Sequence, residues 1–426
     1  MAAVTCKQGR PMSRTFSQPE SLWSRVEIII IAGCVISAIG FGIRASFGLF
    51  TLPVTEFYGW DRATFGMAMA IQNLVWGMAQ PIAGGLADRY GTARVLAAGA
   101  IIYAAGLVAM SLPQNAPLFM LSAGVLVGIG IATCSFAIVM AAFSRKVGPE
   151  RRSWAFGIAT SAGSLGQFLF APLGQAFISA YGWETALVLL AACVLICVPL
   201  AAILRTPPAD PNAQPREAET TLPLFQALSR ALAHRSYVLL TTGFFVCGFQ
   251  LAFMTTHMPP YLVEGGINPT TASTAIALVG LFNVVGSYMA GVLANRHSKP
   301  YILALIYAGR GVATLVFLLL PLTGASSLIY GAVMGLLWLS TVPPTAGLVA
   351  VMFGTRYMGM LYGVVFLSHQ IGSFFGVWLG GLLYDIFGSY GPVWWMSVAL
   401  CFIAALINLP VRENAAPNFG RAVPQT

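Results

Sequence analysis

Charged residues are scarce in this 426-residue chain, at 8% of the total, and acidic ones are scarcest, with 13 Asp and Glu against 22 Lys and Arg. Soluble domains carry about a quarter charged residues, so the composition excludes an ordinary soluble domain. The long apolar runs hold no carboxylate away from their ends, and the four His lie far apart in sequence. Catalytic and metal sites need clustered acids, His or thiolates. We therefore expect no enzyme, no metal and no cofactor.

A disulfide framework is missing as well. Six of the seven Cys lie in apolar runs, where Cys behaves as a small hydrophobic residue. The first 25 residues are polar and basic, and they lack the apolar core of a usual signal peptide. The chain therefore has to be organised by its apolar runs.

Hydrophobic residues make up 58% of the chain. A helix needs about 20 apolar residues to cross a bilayer, and twelve runs of this kind follow one another. The sequence therefore predicts an all-α membrane protein with twelve transmembrane helices, at approximately 26–51, 63–86, 95–112, 117–143, 153–178, 184–204, 236–261, 271–294, 300–320, 325–352, 358–384 and 391–410.

The positive charges orient these helices. Arg44 and Arg310 lie inside apolar runs and Arg62 lies in a loop on one side, whereas the other 19 Lys and Arg fall in the tails and loops of the opposite side. The positive-inside rule makes that side cytoplasmic. We expect an inner (plasma) membrane protein with both termini in the cytoplasm. The net charge of +9 reflects orientation and lipid headgroups, and we expect no nucleic-acid partner.

The runs fall into two groups of six. The expected organisation is a cytoplasmic tail (1–25), a six-helix half (26–204), a cytoplasmic linker (205–235), a second six-helix half (236–410) and a second tail (411–426). The linker contains five prolines between Pro207 and Pro223, which is typical of a domain boundary. It ends in Leu224–Leu232, an amphipathic segment that places Phe225, Leu228 and Leu232 on one face.

Two repeated patterns indicate a duplication. The motif G-x-x-x-D-R-x-G, at Gly84–Gly91, closes the second apolar run, and a degraded copy begins 207 positions later at Gly291. In a separate register, a shift of 206 aligns Gly166 with Gly372 and Gly174 with Gly380. Both patterns recur at the same places in the two groups of six runs. The halves are therefore expected to be pseudo-symmetric.

The paired motif resembles the signature of the major facilitator superfamily. The resemblance implies that a cavity between the halves opens alternately to the two sides of the membrane. It also implies that Asp88 meets helix ends and basic groups when the cytoplasmic side is closed, and Asn295 replaces that acid in the second copy. The gating residues expected on this basis are Asp88, Arg89, Arg94, Asn295 and Arg296.

Three short segments are similar to bacterial relatives of the monocarboxylate transporter and oxalate/formate exchanger group: Gly42–Gly48, Gly354–Gly359 and Ser368–Ser373. This similarity implies a secondary transporter of a small organic anion of the monocarboxylate kind. Members of the group carry an Asp-x-x-x-Arg pair on the eighth helix, where this chain has Asn283 and Ser287. The substrate and its coupling are therefore not carried over with the resemblance.

Polar residues inside the apolar runs are the candidate binding residues, since intramembrane ionisable groups are usually functional. Arg44 is the favoured anion-binding charge, with snorkelling to the interface as its alternative. Arg310 could hold either a structural partner or a substrate. His369 is the candidate for the coupling proton, because its unperturbed pKa lies in the physiological range. The predicted substrate-binding set is Arg44, Gln72, Asn73, Gln250, Asn283, Trp338, His369 and Gln370.

Other functions stay open at this point. A multidrug exporter would share the fold, but such pumps usually use buried acids, whereas the charges in these runs are basic. A non-transporting sensor would need a signalling domain, and both tails are short. We expect a monomer whose partners are the small anion, the lipid bilayer and possible coupling protons. Proton symport, exchange and facilitated diffusion all fit the sequence.

Overall fold

The computed structural model describes residues 26–147, 149–206, 224–354 and 358–416. In these ranges the chain is a bundle of helices joined by short turns. The expected tail at 1–25, linker residues 207–223, the end of the second tail at 417–426 and the side chain of Asp88 lie outside the described part.

The helices before the linker are named α1 to α9 in chain order. Their bounds are Val26–Ala45, Thr51–Tyr58, Arg62–Tyr90, Thr92–Ser111, Ala116–Phe119, Val127–Thr133, Phe136–Lys146, Pro149–Leu195 and Cys197–Ile203. A 3-10 turn at Phe47–Phe50 joins α1 to α2, and a π-helical stretch at Met120–Leu126 joins α5 to α6. Several of these helices therefore continue one another across a short irregular segment.

The remaining helices are α10 to α17. Their bounds are Leu224–Leu232, Arg235–Glu264, Pro269–Arg296, Lys299–Leu319, Gly324–Leu337, Val342–Phe353, Met358–Phe387 and Gly391–Asn408. The predicted run at 325–352 is split into α14 and α15 by Trp338–Thr341. Pro343 and Pro344 begin α15, in the first turn, where a proline's missing N–H costs no helical hydrogen bond.

Ten helical segments of the described chain are long and apolar enough to cross a membrane. The 29-residue α3 is not one of them, because Gln72, Asn73 and Gln80 lie along it. One of the ten, Ile158–Ile203, has 46 residues, about twice the length of a single crossing. It turns at Gly182, where φ is 80°, a conformation that glycine adopts readily.

Two apolar cores divide the bundle. The first is built almost entirely from residues between Ile29 and Leu204, and the second from residues between Ala227 and Val411. Within the first core α1 packs along α8, and within the second α11 packs along α16. The cores meet where α3 packs along α16 and α8 packs along α12. These two seams are where a site between the cores has to lie.

Two glycines allow equivalent close helix crossings in the two cores. A Cβ on Gly166 of α8 would lie 2.0 Å from the Ala38 carbonyl oxygen of α1, and a Cβ on Gly372 of α16 would lie 1.9 Å from the Phe245 carbonyl oxygen of α11. Both distances are far below van der Waals contact, so only glycine fits. These residues are the pair that the 206-residue register aligns, and they have the same packing role in the two cores.

The segment after α17 crosses the ends of three helices, and we call residues 411–416 the strap. The Arg412 amide donates to the Ser236 hydroxyl of α11 at 3.0 Å, and the Ala416 amide donates to the Met352 carbonyl of α15 at 2.8 Å. Glu413 accepts from the Lys299 amide of α13 at 2.9 Å and pairs with its ammonium group. The strap therefore ties α11, α13 and α15 together.

The short helix α10 faces the second core with small residues. Ala227 and Ala231 are fully buried, Leu228 is half-buried, and Phe225 and Leu232 are exposed. The predicted face of Phe225, Leu228 and Leu232 therefore points largely away from the protein. Such a face suits a helix that lies at a membrane surface.

Candidate functional site

Arg44, near the end of α1, lies against one face of α3. Its Nη2 donates a hydrogen bond to Oδ1 of Asn73 at 2.7 Å, and its guanidinium carbon lies 4.7 Å from the centre of the Trp76 ring. Asn73 and Trp76 are three residues apart, so they share a face of the helix. Trp76 is itself held by a 2.7 Å bond from its Nε1 to Oε1 of Gln80. The guanidinium is therefore fixed by a hydrogen bond and a cation–π contact.

The helix α16 reaches the same place from the other core. Nε2 of Gln370 donates to the backbone carbonyl of Asn73 at 3.0 Å, which leaves Oε1 of Gln370 to accept from Nδ1 of His369 at 3.0 Å. The Phe366 ring stacks on His369 at 5.9 Å and meets Trp76 edge-on at 5.4 Å. The structure thus brings together four predicted binding residues: Arg44, Asn73, His369 and Gln370.

The charge of Arg44 is not neutralised within the described chain. The ion pairs found there, Arg62–Glu264 and Lys299–Glu413, do not involve it. An arginine has five N–H donors, and Asn73 is the hydrogen-bond partner found for Arg44. An intramembrane charge is costly without a partner. The arrangement therefore suits a ligand that brings a negative charge.

Tyr103 of α4 is a second group near Arg44 with spare hydrogen-bonding capacity. Its side chain is fully buried, its hydroxyl has no hydrogen-bond partner among the described residues, and it is close enough to interact with the charge of Arg44. Buried polar groups are usually hydrogen-bonded. Sequence reasoning missed Tyr103, because nothing in the α4 pattern separates it from other apolar-run aromatics.

Two predicted binding residues bond to neighbouring helices away from this cluster. Gln72 donates from Nε2 to the Ala123 carbonyl at 2.8 Å, within the π-helical stretch before α6. Gln250 of α11 donates to the Thr314 hydroxyl of α13 at 3.4 Å, and its own Oε1 is unpartnered. Both side chains therefore have protein partners outside the Arg44 cluster.

The other two, Asn283 and Trp338, support the break between α14 and α15. Asn283 of α12 accepts from the Leu339 amide at 2.9 Å and donates to the Ser164 hydroxyl of α8 at 2.8 Å. The Trp338 carbonyl accepts from the guanidinium of Arg310. The Asn283 contact with Ser164 lies on the seam between α8 and α12, whereas Arg44 lies on the seam between α3 and α16.

Arg310 has a full set of protein partners. It is completely buried, and it donates to the Leu337 carbonyl from Nε at 3.0 Å and from Nη2 at 2.7 Å, to the Trp338 carbonyl, and to Sγ of Cys247 at 3.3 Å. The carbonyls at a helix end carry partial negative charge. Arg310 thus satisfies the carboxyl end of α14, which favours the structural interpretation of this residue.

One end of the bundle, here called the Arg62 end, is closed by contacts between the cores. The Arg62 guanidinium pairs with Glu264 of α11 at 2.8 Å, and the Asp385 carboxylate of α16 accepts from the Arg62 and Ala63 amides at 3.0 and 2.7 Å. Thr51 donates to the Thr256 carbonyl at 3.3 Å. The sequence placed Arg62 in a loop and Asp385 at a helix end, and it could not pair them because they lie on helices that are distant in sequence.

The opposite end, here called the Gly91 end, carries the predicted gating residues. Arg89 lies over the neighbouring Tyr90 ring at 5.3 Å, and Arg94, Asn295 and Arg296 are exposed. No atom lies within 4 Å of a Cβ built on Gly84, Gly85 or Gly363, apart from local backbone. Among the hydrogen bonds found between described residues, none joins the two cores at this end, and the Arg44 cluster lies between this end and the joined Arg62 end.

Comparison with known proteins decides the family. The sequence profile of the Major Facilitator Superfamily matches residues 30–377. The chain belongs to this superfamily. A solved relative supports the fold: the crystal structure of a bacterial homologue to the human lysosomal transporter Spinster, in an inward-facing and unoccupied conformation, has a TM-score of 0.74. That match is 15% identical in sequence and covers 94% of this chain and all of the other.

Curated relatives of this superfamily member are transporters. It is 26% identical to the uncharacterized MFS-type transporter YcxA of Bacillus subtilis (strain 168), over 90% of this chain and 95% of the relative. It is also 26% identical to rat monocarboxylate transporter 13, over 92% of this chain and 90% of the relative. Its identity to human monocarboxylate transporter 11 is 26% as well, over 94% of this chain and 85% of the relative. The protein is therefore a multi-pass membrane transporter and not an enzyme.

Proposed function

We propose that this transporter carries a small organic monoanion, of the monocarboxylate kind, and binds its carboxylate at Arg44. The observation that supports this most is the guanidinium between the cores, which has one hydrogen-bond partner and no carboxylate partner among the described residues. An arginine fork can grip a carboxylate through two parallel N–H bonds. The names of the rat and human relatives point to the same class of substrate.

The surroundings of Arg44 favour a single negative charge with an apolar body. Phe41 and Trp76 supply aromatic surface beside the guanidinium, and Phe366 packs against Trp76. Arg310, the other arginine of the apolar runs, is occupied by backbone carbonyls, so it has no donor set free for a second carboxylate. The absence of a buried acid in these runs also weighs against an exporter of cationic drugs.

We propose twelve crossings in two six-helix halves. The ten apolar segments become twelve when α3 is included and Ile158–Ile203 is divided at Gly182. The two cores and the equivalent crossings at Gly166 and Gly372 support the pairing of the halves. The positive-inside rule then makes the Gly91 end and both termini cytoplasmic. On this assignment, the described state is open to the cytoplasm.

Transport then requires the Arg62 end and the Gly91 end to close in turn. The anion leaves or enters through the Gly91 end in this state, and a second state would close that end and open the Arg62 end. His369 is the coupling candidate, because its imidazole reaches Arg44 through Gln370 and Asn73. We propose that the carrier works as a monomer in the inner membrane.

Substitution of Arg44 tests the binding proposal. The purified protein is reconstituted in liposomes, and uptake of radiolabelled lactate, pyruvate and related small monocarboxylates is compared for Arg44→Gln and Arg44→Lys. We expect Arg44→Gln to lose at least about 100-fold in kcat/KM, the equivalent of a lost charge-assisted carboxylate contact of about 3 kcal/mol. Arg44→Lys should retain part of the activity, because it keeps the charge without the fork.

Arg205→Gln is the matched control, because Arg205 is exposed and lies at the end of the first core. It should transport as the wild type does once membrane abundance is corrected. Snorkelling predicts that both Arg44 variants also behave in this way. Wild-type affinity for a transported anion in Arg44→Gln would overturn the proposal.

A further inference from the structure

His257 of α11 is a completely buried histidine at the Arg62 end, away from the Arg44 cluster. Its ring lies between two glycines. A Cβ on Gly380 of α16 would lie 2.4 Å from its Cδ2, and a Cβ on Gly66 of α3 would lie 3.8 Å from its Nε2. Gly66 belongs to the first core and Gly380 to the second. The imidazole therefore lies where the two cores touch at this end.

The hydrogen bonds of His257 fit one protonation form. Its Nε2 lies 2.7 Å from the Val377 carbonyl oxygen, which can only accept, so Nε2 carries the proton. Its Nδ1 has no hydrogen-bond partner in the described chain. A second proton on Nδ1 would create a buried cation whose new N–H has no acceptor, and such a charge is costly. The closed end therefore accommodates neutral His257 only.

The charged groups around His257 do not offset that cost. Arg62, on α3, is close enough to repel a charged imidazole. Glu264, on α11 itself, is held by Arg62 and by the Tyr384 hydroxyl of α16 at 3.0 Å. Asp385 of α16 is held by two backbone amides. Both carboxylates of this end are thus already engaged.

Aromatic groups pack around the buried His257 imidazole. The Tyr390 ring of α17 lies 5.3 Å from the imidazole and the Phe253 ring of α11 lies 5.9 Å from it. The Tyr390 hydroxyl is itself buried without a hydrogen-bond partner in the described residues. Gly48 of the turn after α1 packs on the Thr255 carbonyl, two residues before His257. Water can reach the imidazole only if α1 and α3 move away from α11 and α16.

We propose that His257 is a proton-binding site that opens the Arg62 end. When α3 withdraws, Gly66 and Arg62 leave with it, water reaches Nδ1, and the imidazolium form can be hydrogen-bonded. A proton from the aqueous compartment on that side then binds the open state and not the closed one. By linkage, acid on that side shifts the population toward the state with an open Arg62 end.

The direction and size of the pH effect on the open-to-closed ratio follow from the binding of one proton. The ratio of open to closed molecules should rise as pH falls, by up to about tenfold per pH unit for one coupled proton. This inference rests on the proposed alternation between a closed and an open Arg62 end, and it does not depend on anion binding at Arg44. Arg44→Gln should therefore keep the full pH response even if it no longer binds an anion, so the two proposals can fail separately.

The separation of the cores at the Arg62 end can be measured directly. Phe57 and Ile386 are exposed side chains of this end, one in each core. Spin labels on Phe57→Cys and Ile386→Cys, in full-length protein whose native cysteines are alanine, report their distance by pulsed EPR in lipid nanodiscs. We expect a longer-distance population that grows between about pH 8 and about pH 5.5, where an imidazole titrates.

His257→Gln is the decisive variant, because glutamine can still donate to the Val377 carbonyl but cannot take up a proton. It should abolish the pH dependence of the distance. His297→Gln, at an exposed histidine of the Gly91 end, should leave that dependence unchanged. A wild type without pH dependence, or a His257→Gln variant that keeps it, overturns the proposal.

A second measurement avoids both the labels and the loss of native cysteines. The chain has four histidines, so ¹³C-histidine spectra of the intact protein can be assigned by single substitutions. The His257 signal should change with pH over the same range in which the distance changes. A His257 signal that stays that of a neutral imidazole while the Arg62 end opens would rule out its role.

Discussion

The two arginines in apolar runs differ in how many hydrogen bonds the described protein offers them. Arg310 makes four hydrogen bonds to carbonyls and a thiol, whereas Arg44 makes one to an amide oxygen. The sequence identifies both as costly charges. It cannot say which is satisfied, because the carbonyls that bind Arg310 are freed by a helix break that composition does not reveal.

Trp76 is the residue whose role beside Arg44 is easiest to isolate. We expect Trp76→Leu to raise KM for the anion by about 3- to 30-fold, because a cation–π contact contributes about 0.5–2 kcal/mol. The value of kcat should change less, because the ring contacts Arg44 both before and during the transport step. Trp76→Phe, which keeps an aromatic face, should recover part of the affinity.

Initial-rate uptake in liposomes over a range of anion concentrations separates the two parameters. Trp395→Leu is the matched control, because Trp395 is an exposed tryptophan of α17. Equal KM values in Trp76→Leu and Trp395→Leu would show that Arg44 is positioned without the ring. Neither Trp76 nor Tyr103 could be chosen from the sequence, since many aromatic residues lie in the apolar runs.

At the scale of helices, the interrupted tenth run shows what a pattern can and cannot predict. The apolar run at 325–352 predicts one membrane helix, and it contains the helix-breaking pair Pro343 and Pro344. The actual break lies before the prolines, at Trp338–Thr341. It is set by Arg310 and Asn283, which approach from two other helices, so local propensity alone could not locate it.

The structural role of Arg310 makes a prediction at this scale. Arg310→Gln should lower the free energy of unfolding by about 3 kcal/mol or more, because two or more charge-assisted bonds are lost from a buried site. The anion affinity of the protein that remains folded should stay close to that of the wild type. Thermal unfolding in detergent and KM after reconstitution give the two readouts.

Arg205→Gln serves again as the exposed control, and it should leave both readouts unchanged. Arg310→Lys should be intermediate in stability, since an ammonium group cannot reach every acceptor that the planar fork reaches. An Arg310→Gln variant that is fully stable but has lost its anion affinity would assign the residue to the substrate instead.

For the whole molecule, the two ends of the bundle differ in how the described residues of the two cores meet. The Arg62 end is joined by an ion pair and two amide–carboxylate bonds, whereas Gly84 and Gly363 face open space at the Gly91 end. The duplication and the paired motif predict two halves, and the described chain has two apolar cores. The state of each end could not be predicted, because one sequence has to encode both closures.

Asp88 belongs to the predicted closure of the Gly91 end. The sequence predicts that its carboxylate stabilises the state with the Gly91 end closed, so Asp88→Asn should lower turnover by about tenfold, the equivalent of about 1.4 kcal/mol. Substrate affinity in the state open at the Gly91 end should hardly change. Turnover and equilibrium binding of a transported anion, measured on the same preparation, check both expectations.

Asn295 provides the reciprocal experiment, because it stands where the second motif copy lacks an acid. Asn295→Asp should favour closure of the Gly91 end, the opposite of Asp88→Asn. Unchanged turnover in Asp88→Asn would remove this carboxylate from the transport cycle and leave the exposed Arg94 and Arg296 as lipid-facing charges.

The strap that ties α11, α13 and α15 has a consequence for the order of biosynthesis. Residues 411–416 follow every helix they bind, so the ribosome delivers them only after all three helices have been made. Until then Ser236, Lys299 and Met352 lack the partners that the strap supplies. A chain that stalls or is cut after Asn408 would hold all its apolar segments and still leave these three helix ends untied, open to membrane quality-control proteases.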